Sequence, residues 1–439
     1  MSSKIDIRRL THSLLGGSWD REAVLNRLSR SLGDTLPDPK QLAARLLFHF
    51  DERLPPCESQ LTAFLLGEEP LRQALENLDG KSAPRILLDP PVMGPLPENM
   101  TTLPLPRLAT WRDLQQWLGL LDSELAWFAD IEGRQGKVAE PKLHHYRYRW
   151  IAKSSGSSRL IEIPKSRLKA IQRRILNDLL HRIPPHACAH GFRRHRSCLT
   201  YVAPHVAKAV VLRMDLKDFF HSVPTPRITA LFQYLGYPRG VARLLQGLCT
   251  HTLSPSLAGA PYQALCWNMR KRLQHKHLPQ GAPTSPAIAN LCAWRLDCRL
   301  QGAAERFGLD YTRYADDLAF SGSTGLTRLA PFLQGLVGAI ALDEGFSINH
   351  RKTRLNTQAQ CQRLAGIVLN EKPNPPRREY DRLKATLYNC IRFGPDSQNR
   401  EGHGDYQSHL AGRIANMAWL NPRKGERLKA LWERIEWPE

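Results

Sequence analysis

Three acids carry the first sign of chemistry. Asp316 and Asp317 are adjacent in Tyr311-Thr312-Arg313-Tyr314-Ala315-Asp316-Asp317-Leu318-Ala319-Phe320. Asp215 lies about a hundred residues earlier, in Leu212-Arg213-Met214-Asp215-Leu216-Lys217-Asp218-Phe219-Phe220. Apolar and β-forming residues flank both sites, as in short strands. Two neighbouring acids alone usually mark a solvated turn, but an unpaired charge in an apolar run such as that around Asp215 is costly. Strands that set carboxylates side by side can hold hard divalent cations through oxygen ligands. A pair of such ions clamps the attacking and leaving oxygens of phosphoryl transfer. The chemistry expected is nucleotidyl transfer, with Asp215, Asp316 and Asp317 catalytic. Asp215 and Asp316 are the expected direct ligands, Asp317 a weaker ligand or nearby charge, and the Leu216 carbonyl completes one coordination sphere. The expected cofactor is Mg2+, two ions, with Mn2+ as a substitute.

Between the two acid sites lies Leu278-Pro279-Gln280-Gly281-Ala282-Pro283-Thr284-Ser285-Pro286, a turn leading into an apolar helix. Gly281 permits close backbone approach and Pro286 suits a first helical turn. Gln280 and Gly281 are therefore candidates to lie under a nucleotide. Lys153, Arg159 and Lys352 are candidate triphosphate contacts. Arg159 leads them, because it follows a flexible turn and offers phosphate a bidentate fork.

The elements that position these residues read as alternating short strands and helices. Arg147 to Ala152 and Arg159 to Ile163 read as strands around a Ser/Gly turn at Ser154 to Ser158, and a helix is expected from Ser166 to about Arg182. Upstream, residues 8 to about 80 read as helices. Ser18 is the expected cap of one whose first turn holds Asp20 and Glu22. Thr110 to Asp130 reads as helical. Prolines recur from Pro84 to Pro106 and mark an extended connector. The last part, from Arg377 to Trp437, is helical and basic. The divisions expected are a helical module over 1–83, a connector over 84–106, a strand-containing catalytic region over 107–370 and a basic helical region over 371–439.

Charge names the partner. The chain carries 62 Lys and Arg against 41 Asp and Glu, a net +21. Residues 1–105 hold 12 basic and 14 acidic side chains, so the whole excess lies beyond them, with the candidate metal acids. A surface of that sign attracts phosphate backbones. No run approaches the roughly 18 apolar residues of a membrane span, and no apolar signal core follows Met1. The nine cysteines show no zinc-like or paired spacing, which suits a reducing compartment. A cytoplasmic protein without membrane contact is expected.

Taken together, these segments resemble bacterial reverse transcriptases, most closely the retron type. Lys153 through Arg159 with Ile161 and Pro164 resembles the fingers motif, Leu168 to Arg173 the helix after it, and His190-Gly191-Phe192 the next landmark. The Asp215 segment, the Gln280-Gly281 loop and Tyr314-Ala315-Asp316-Asp317 resemble motifs A, B and C. Gly345-Phe346 to Lys352 resembles motif D, and Leu364-Ala365-Gly366 falls at the primer grip. The resemblance covers roughly residues 105–439. It implies an α+β right-hand polymerase with fingers, palm and helical thumb, here with an N-terminal helical extension. It places Asp218, Phe219 and Phe220 at the incoming nucleotide, with Phe220 as the ring that excludes a ribose 2′-hydroxyl. The implied activity is RNA-directed DNA synthesis from dNTPs on a structured non-coding RNA, in a retron serving antiphage defence. An effector protein and a homo-oligomer are further expected partners.

Two segments depart from the retron pattern. Tyr201-Val202-Ala203-Pro204-His205 keeps only the His of N-A-x-x-H, and Leu364-Ala365-Gly366 keeps only the Gly of V-T-G. Template and priming mode stay open on this reading, including template-independent synthesis. So does a non-catalytic RNA-binding scaffold, although all three acids and Phe220 are intact.

Overall fold

The computed structural model describes residues 2–16, 19–32, 36–50, 56–76, 91–138, 140–152 and 158–437. They form two compact units. One combines the chain up to Ile183 with Pro224–Ser285, and the other combines Pro184–Val223 with Pro286–Glu439.

The first unit opens with helices Ser2–Leu15, Arg21–Leu32, Pro39–His49, Glu58–Gly67 and Glu69–Glu76. Their apolar stripes close on one core that includes Leu10, Leu14, Val24, Leu28, Leu46, Leu61 and Leu65. The cap of the second helix is Asp20, whose carboxylate accepts from the Ala23 N–H at 2.9 Å. The expected cap, Ser18, lies outside the described residues, as does most of the first half of the expected connector. From residue 91 to Thr110 the backbone is irregular apart from one short 3-10 turn at Glu98–Met100.

The stretch expected to be helical from Thr110 to Asp130 holds two helices, Trp111–Leu118 and Asp122–Ala129. A reciprocal capping box starts the first: Thr110 Oγ1 accepts from the Asp113 N–H, and Asp113 accepts from the Thr110 N–H. Gly119, in the left-handed region at φ 65°, ends it, and such a C-cap satisfies the last carbonyls while turning the chain. Next come strands β1 (Tyr146–Ala152) and β2 (Ser158–Pro164), paired antiparallel, and helix Ser166–Asp178.

In the second unit, β3 (Val210–Asp215), β4 (Asp310–Tyr314), β5 (Asp317–Gly322) and β6 (Arg354–Thr357) form an antiparallel sheet in the order β4-β5-β3-β6. β3 lies inside that sheet, and five of its six residues are buried. That position explains its unbroken apolar run, because both faces are covered. Helices Ser285–Cys292, Trp294–Arg306 and Leu326–Asp343 accompany the sheet. A small hairpin follows, β7 (Arg363–Leu364) and β8 (Ile367–Val368), then helices Arg377–Phe393, Tyr406–Leu420 and Pro422–Trp432. Leu410, Ile414 and Met417 share a single core with Leu428, Leu431 and Ile435. Among the described residues no helix is long and apolar enough to cross a membrane.

Candidate active site

The register of the sheet brings the acids together. Asp215, the last residue of β3, pairs directly with Asp317, the first of β5. Asp316 sits in the two-residue turn between β4 and β5, and its carbonyl accepts from the Leu216 N–H at 2.8 Å. Two side-chain cations and one amide attend the acids. Lys352 Nζ is 2.8 Å from Asp215 Oδ2, and Asn349 Nδ2 donates to Asp215 Oδ1 at 3.1 Å. Arg213 Nη2 contacts both Asp317 oxygens, at 2.6 and 2.9 Å. Asp215 is only 3% exposed.

Burial, and then the like charges of Asp215 and Asp317, push the Asp316 carboxyl above the usual carboxylate range. Burial also raises Asp317, although the Arg213 guanidinium pulls the other way. Such a site, made of hard oxygen donors crowded by like charge, suits divalent-cation chemistry. Three carboxylates at one end of the sheet offer such a cation oxygen donors. Asp317 is engaged by the Arg213 fork, as Asp215 is by Lys352 and Asn349.

The turn itself is strained. Two-residue hairpins of this kind favour glycine at a left-handed first position, but this chain has Ala315, at φ 56°. Its support comes from below. Arg313 is 0% exposed and pairs with Asp297, Nε to Oδ1 at 2.8 Å and Nη2 to Oδ2 at 2.6 Å. Arg313 Nη1 also donates to the Ala315 carbonyl at 3.1 Å and to Asn290 Oδ1 at 2.9 Å. Asn290 in turn donates to the Gly191 carbonyl. A Cβ at Gly191 would lie 2.6 Å from the Ala315 nitrogen, so the His190-Gly191-Phe192 segment can pack there only as glycine. Arg313, Asp297, Asn290 and Arg213 were not legible as support for the site. For Arg213 and Arg313 the available signal is a charge inside an apolar strand, which demands a partner without naming it; Asp297 and Asn290, on helices, carry no such signal.

The other expected residues fall as follows. Phe220 is half-buried with its ring 6.0 Å from that of Phe192. Asp218 adopts φ 52°, and its carbonyl accepts from the Ser222 N–H. Phe219, expected at the incoming nucleotide, has its ring 3% exposed in the core and stacked on Phe346. Lys352, expected at a triphosphate, contacts the Asp215 carboxylate. Leu364 is likewise a core residue at 0% exposure, while Ala365 and Gly366, both at positive φ, form the β7–β8 turn. Arg159 is exposed on β2, and Gln280 and Gly281 lie in the same unit as Arg159. Lys153 lies outside the described residues. His205 is fully buried, with its ring nitrogens 2.7 Å from Ser321 Oγ and 2.7 Å from Thr312 Oγ1.

Residues 151–369 match the reverse transcriptase (RNA-dependent DNA polymerase) family. The retron Mx65 reverse transcriptase of Myxococcus xanthus is 40% identical over 289 residues, which cover 65% of this chain and 64% of that relative. The retron Mx162 reverse transcriptase of the same organism is 37% identical over 342 residues, 74% of this chain and 66% of the relative. The retron Ec86 reverse transcriptase of Escherichia coli is 31% identical over 251 residues, 56% of this chain and 70% of the relative. The chain thus spans just under two thirds of the length of the two Myxococcus proteins. From these likenesses, the chain belongs to the reverse transcriptase family, among the retron enzymes, with the right-hand polymerase fold of that family.

Proposed function

We propose that this protein is an RNA-directed DNA polymerase that copies a structured RNA into DNA by nucleotidyl transfer, as a retron component in antiphage defence. The observation that carries the reading is the pairing of Asp215 with Asp317 beside Asp316 in the adjoining turn. When bound at such acids, Mg2+ lowers the barrier by stabilising charge on the attacking and leaving oxygens. Asp215 and Asp316, with the Leu216 carbonyl, would hold the metal. Arg213 holds the Asp317 carboxylate and Lys352 the Asp215 carboxylate in place, and Asp317 would be the weaker ligand or a nearby charge. We assign Phe220 to sugar selection, and Arg159, Asp218, Gln280 and Gly281 to the incoming nucleotide, from motif order. The Ala365-Gly366 turn is assigned to the primer grip. The divisions proposed are a helical module over 1–83, a connector over 84–106, fingers and palm over 107–370 and a thumb over 371–439.

A second reading, a retron-like enzyme with another template or priming mode, is favoured by one observation. His205, the remaining residue of the N-A-x-x-H pattern, hydrogen-bonds inside the sheet, where it braces Thr312 and Ser321. Sequencing the nucleic acid that co-purifies with wild type and with the Asp316→Ala/Asp317→Ala variant separates the readings. Discrete DNA copied from one small RNA, and absent from the variant, supports the retron reading. Repetitive DNA supports the second. RNA without DNA in both would leave a scaffold in place of an enzyme.

A further inference from the structure

β1 and β2 hold Tyr148 directly opposite Glu162. In the same unit, His251 and His277 form an antiparallel bridge, each N–H donating to the other's carbonyl, at 3.0 and 2.9 Å. The two pairs meet residue to residue. Tyr148 Oη lies 2.7 Å from His251 Nε2, and His277 Nε2 lies 3.1 and 3.0 Å from the two Glu162 oxygens. Glu162 is 0%, His277 2% and His251 4% exposed.

The His277 Nδ1 is also 2.8 Å from the His275 carbonyl. Both ring nitrogens therefore face oxygen acceptors, and a neutral imidazole has only one N–H to donate. The geometry fits an imidazolium paired with the Glu162 carboxylate. Burial opposes that charge, but the Glu162 carboxylate outweighs it and holds the His277 pKa above the ordinary histidine value. Its neighbour differs: burial drives His251 down to about 3, so it stays neutral beside Tyr148.

The backbone extends the same connection. The Glu162 N–H donates to the Gln280 carbonyl at 2.9 Å. Gly281 has φ +139°, and a Cβ there would lie 2.6 Å from the Glu162 carbonyl oxygen. Glu162 thus holds the 277–281 segment with both side chain and main chain, on the strand that also carries Arg159. A buried ion pair is often no more stabilising than an apolar substitute. Its use here is geometric.

We propose that Tyr148–His251 and Glu162–His277 form a clamp that positions the Gln280–Gly281 loop on β2 for binding the incoming deoxynucleoside triphosphate. This rests on the reading of that loop and Arg159 as nucleotide contacts. None of the four clamp residues touches the nucleotide; they act through the loop.

The test uses the full chain carrying Tyr148→Phe or Glu162→Gln, each removing one link while keeping side-chain shape. Equilibrium dNTP binding is measured on a complex with a dideoxy-terminated primer–template, alongside KM, kcat, primer–template affinity and melting temperature. Glu162→Gln is expected to raise dNTP Kd and KM by about 5- to 20-fold, and Tyr148→Phe by about 2- to 5-fold. In both, kcat and primer–template affinity stay within about twofold. Histidine ¹⁵N NMR is expected to find His277 doubly protonated at pH 7.5 in wild type and neutral in Glu162→Gln. A lower melting temperature with unchanged dNTP Kd would reduce the clamp to a structural pair and overturn the proposal. Equal losses of dNTP and primer–template binding, or a neutral His277 in wild type, would also overturn it. A wild-type chain that extends no primer removes the polymerase reading, whereas the dNTP-binding measurement judges the clamp independently.

Discussion

Asp297→Asn offers the sharpest test of how the acids are held. Asp297 and Arg313 are both 0% exposed, and their pair shares a network with Asn290, the Ala315 carbonyl and the Tyr311 hydroxyl. Removing one partner of a buried pair leaves an uncompensated charge, which costs about 3–5 kcal/mol. In a domain of this size each kcal/mol moves Tm by about 2–4 °C, so the expected loss is roughly 6–20 °C. The double variant Asp297→Leu/Arg313→Met removes both charges and should recover part of that stability, the rest being lost with the hydrogen bonds to Ala315, Asn290 and Tyr311. It should not recover activity. The Ala315 carbonyl and Asn290 lose their donor, and a left-handed alanine persists only where its surroundings enforce it, at a cost of order 1–3 kcal/mol. Thermal melts and primer extension at a temperature where both variants are folded separate the two effects. An Asp297→Asn loss below about 1 kcal/mol would refute the energetic argument. A double variant as active as wild type would refute the role of Arg313 in shaping the turn.

Phe220→Ala should lower discrimination between dNTP and rNTP by about tenfold or more; an unchanged ratio of kcat/KM values would remove Phe220 from sugar selection. Chelation of divalent ions, or Asp316→Asn, should cut primer extension by about a thousandfold or more while leaving primer–template binding measurable by gel shift. With about five to ten phosphate contacts, log Kd for nucleic acid should vary with log salt at a slope of about 4 to 9 in magnitude; a flat titration would contradict the charge argument. Burial lowers His145, His190 and His205 to about 4 and His251 to about 3. Between those values and about 6.5 the unfolded chain binds more protons, so stability rises with pH to about 6.5 and is lost on acidification. Each histidine should contribute about 1 kcal/mol of that loss by pH 5.5, and denaturant melts from pH 7 to 5 would detect a stability that failed to fall.

How much of this was legible in the sequence depended on the range of the interaction. The hairpin strands around residues 146–164 and the helices near the N-terminus follow local patterns of apolar spacing and caps, and the structure has them within a few residues. Within the helical stretch after Thr110, the division into two helices is set by the left-handed cap at Gly119, which helical periodicity alone does not reveal. Motif order places Phe219 at the nucleotide and Leu364 at the primer grip but says nothing of their side chains, which packing turns inward.

By itself, the sequence determined which groups are available for chemistry: which acids are present, in which order, amid apolar strand-forming residues, on a strongly basic chain. Those facts concern residue type and local spacing, which the order of the residues alone carries. Only the tertiary structure decided that Asp215 faces Asp317, that Arg213 and Lys352 engage the acids, and that Arg313 and Asp297 brace the turn from beneath. Strand register and buried charge pairing join residues far apart in the chain. Their partners are chosen by which surfaces close on one another, a choice no local pattern encodes.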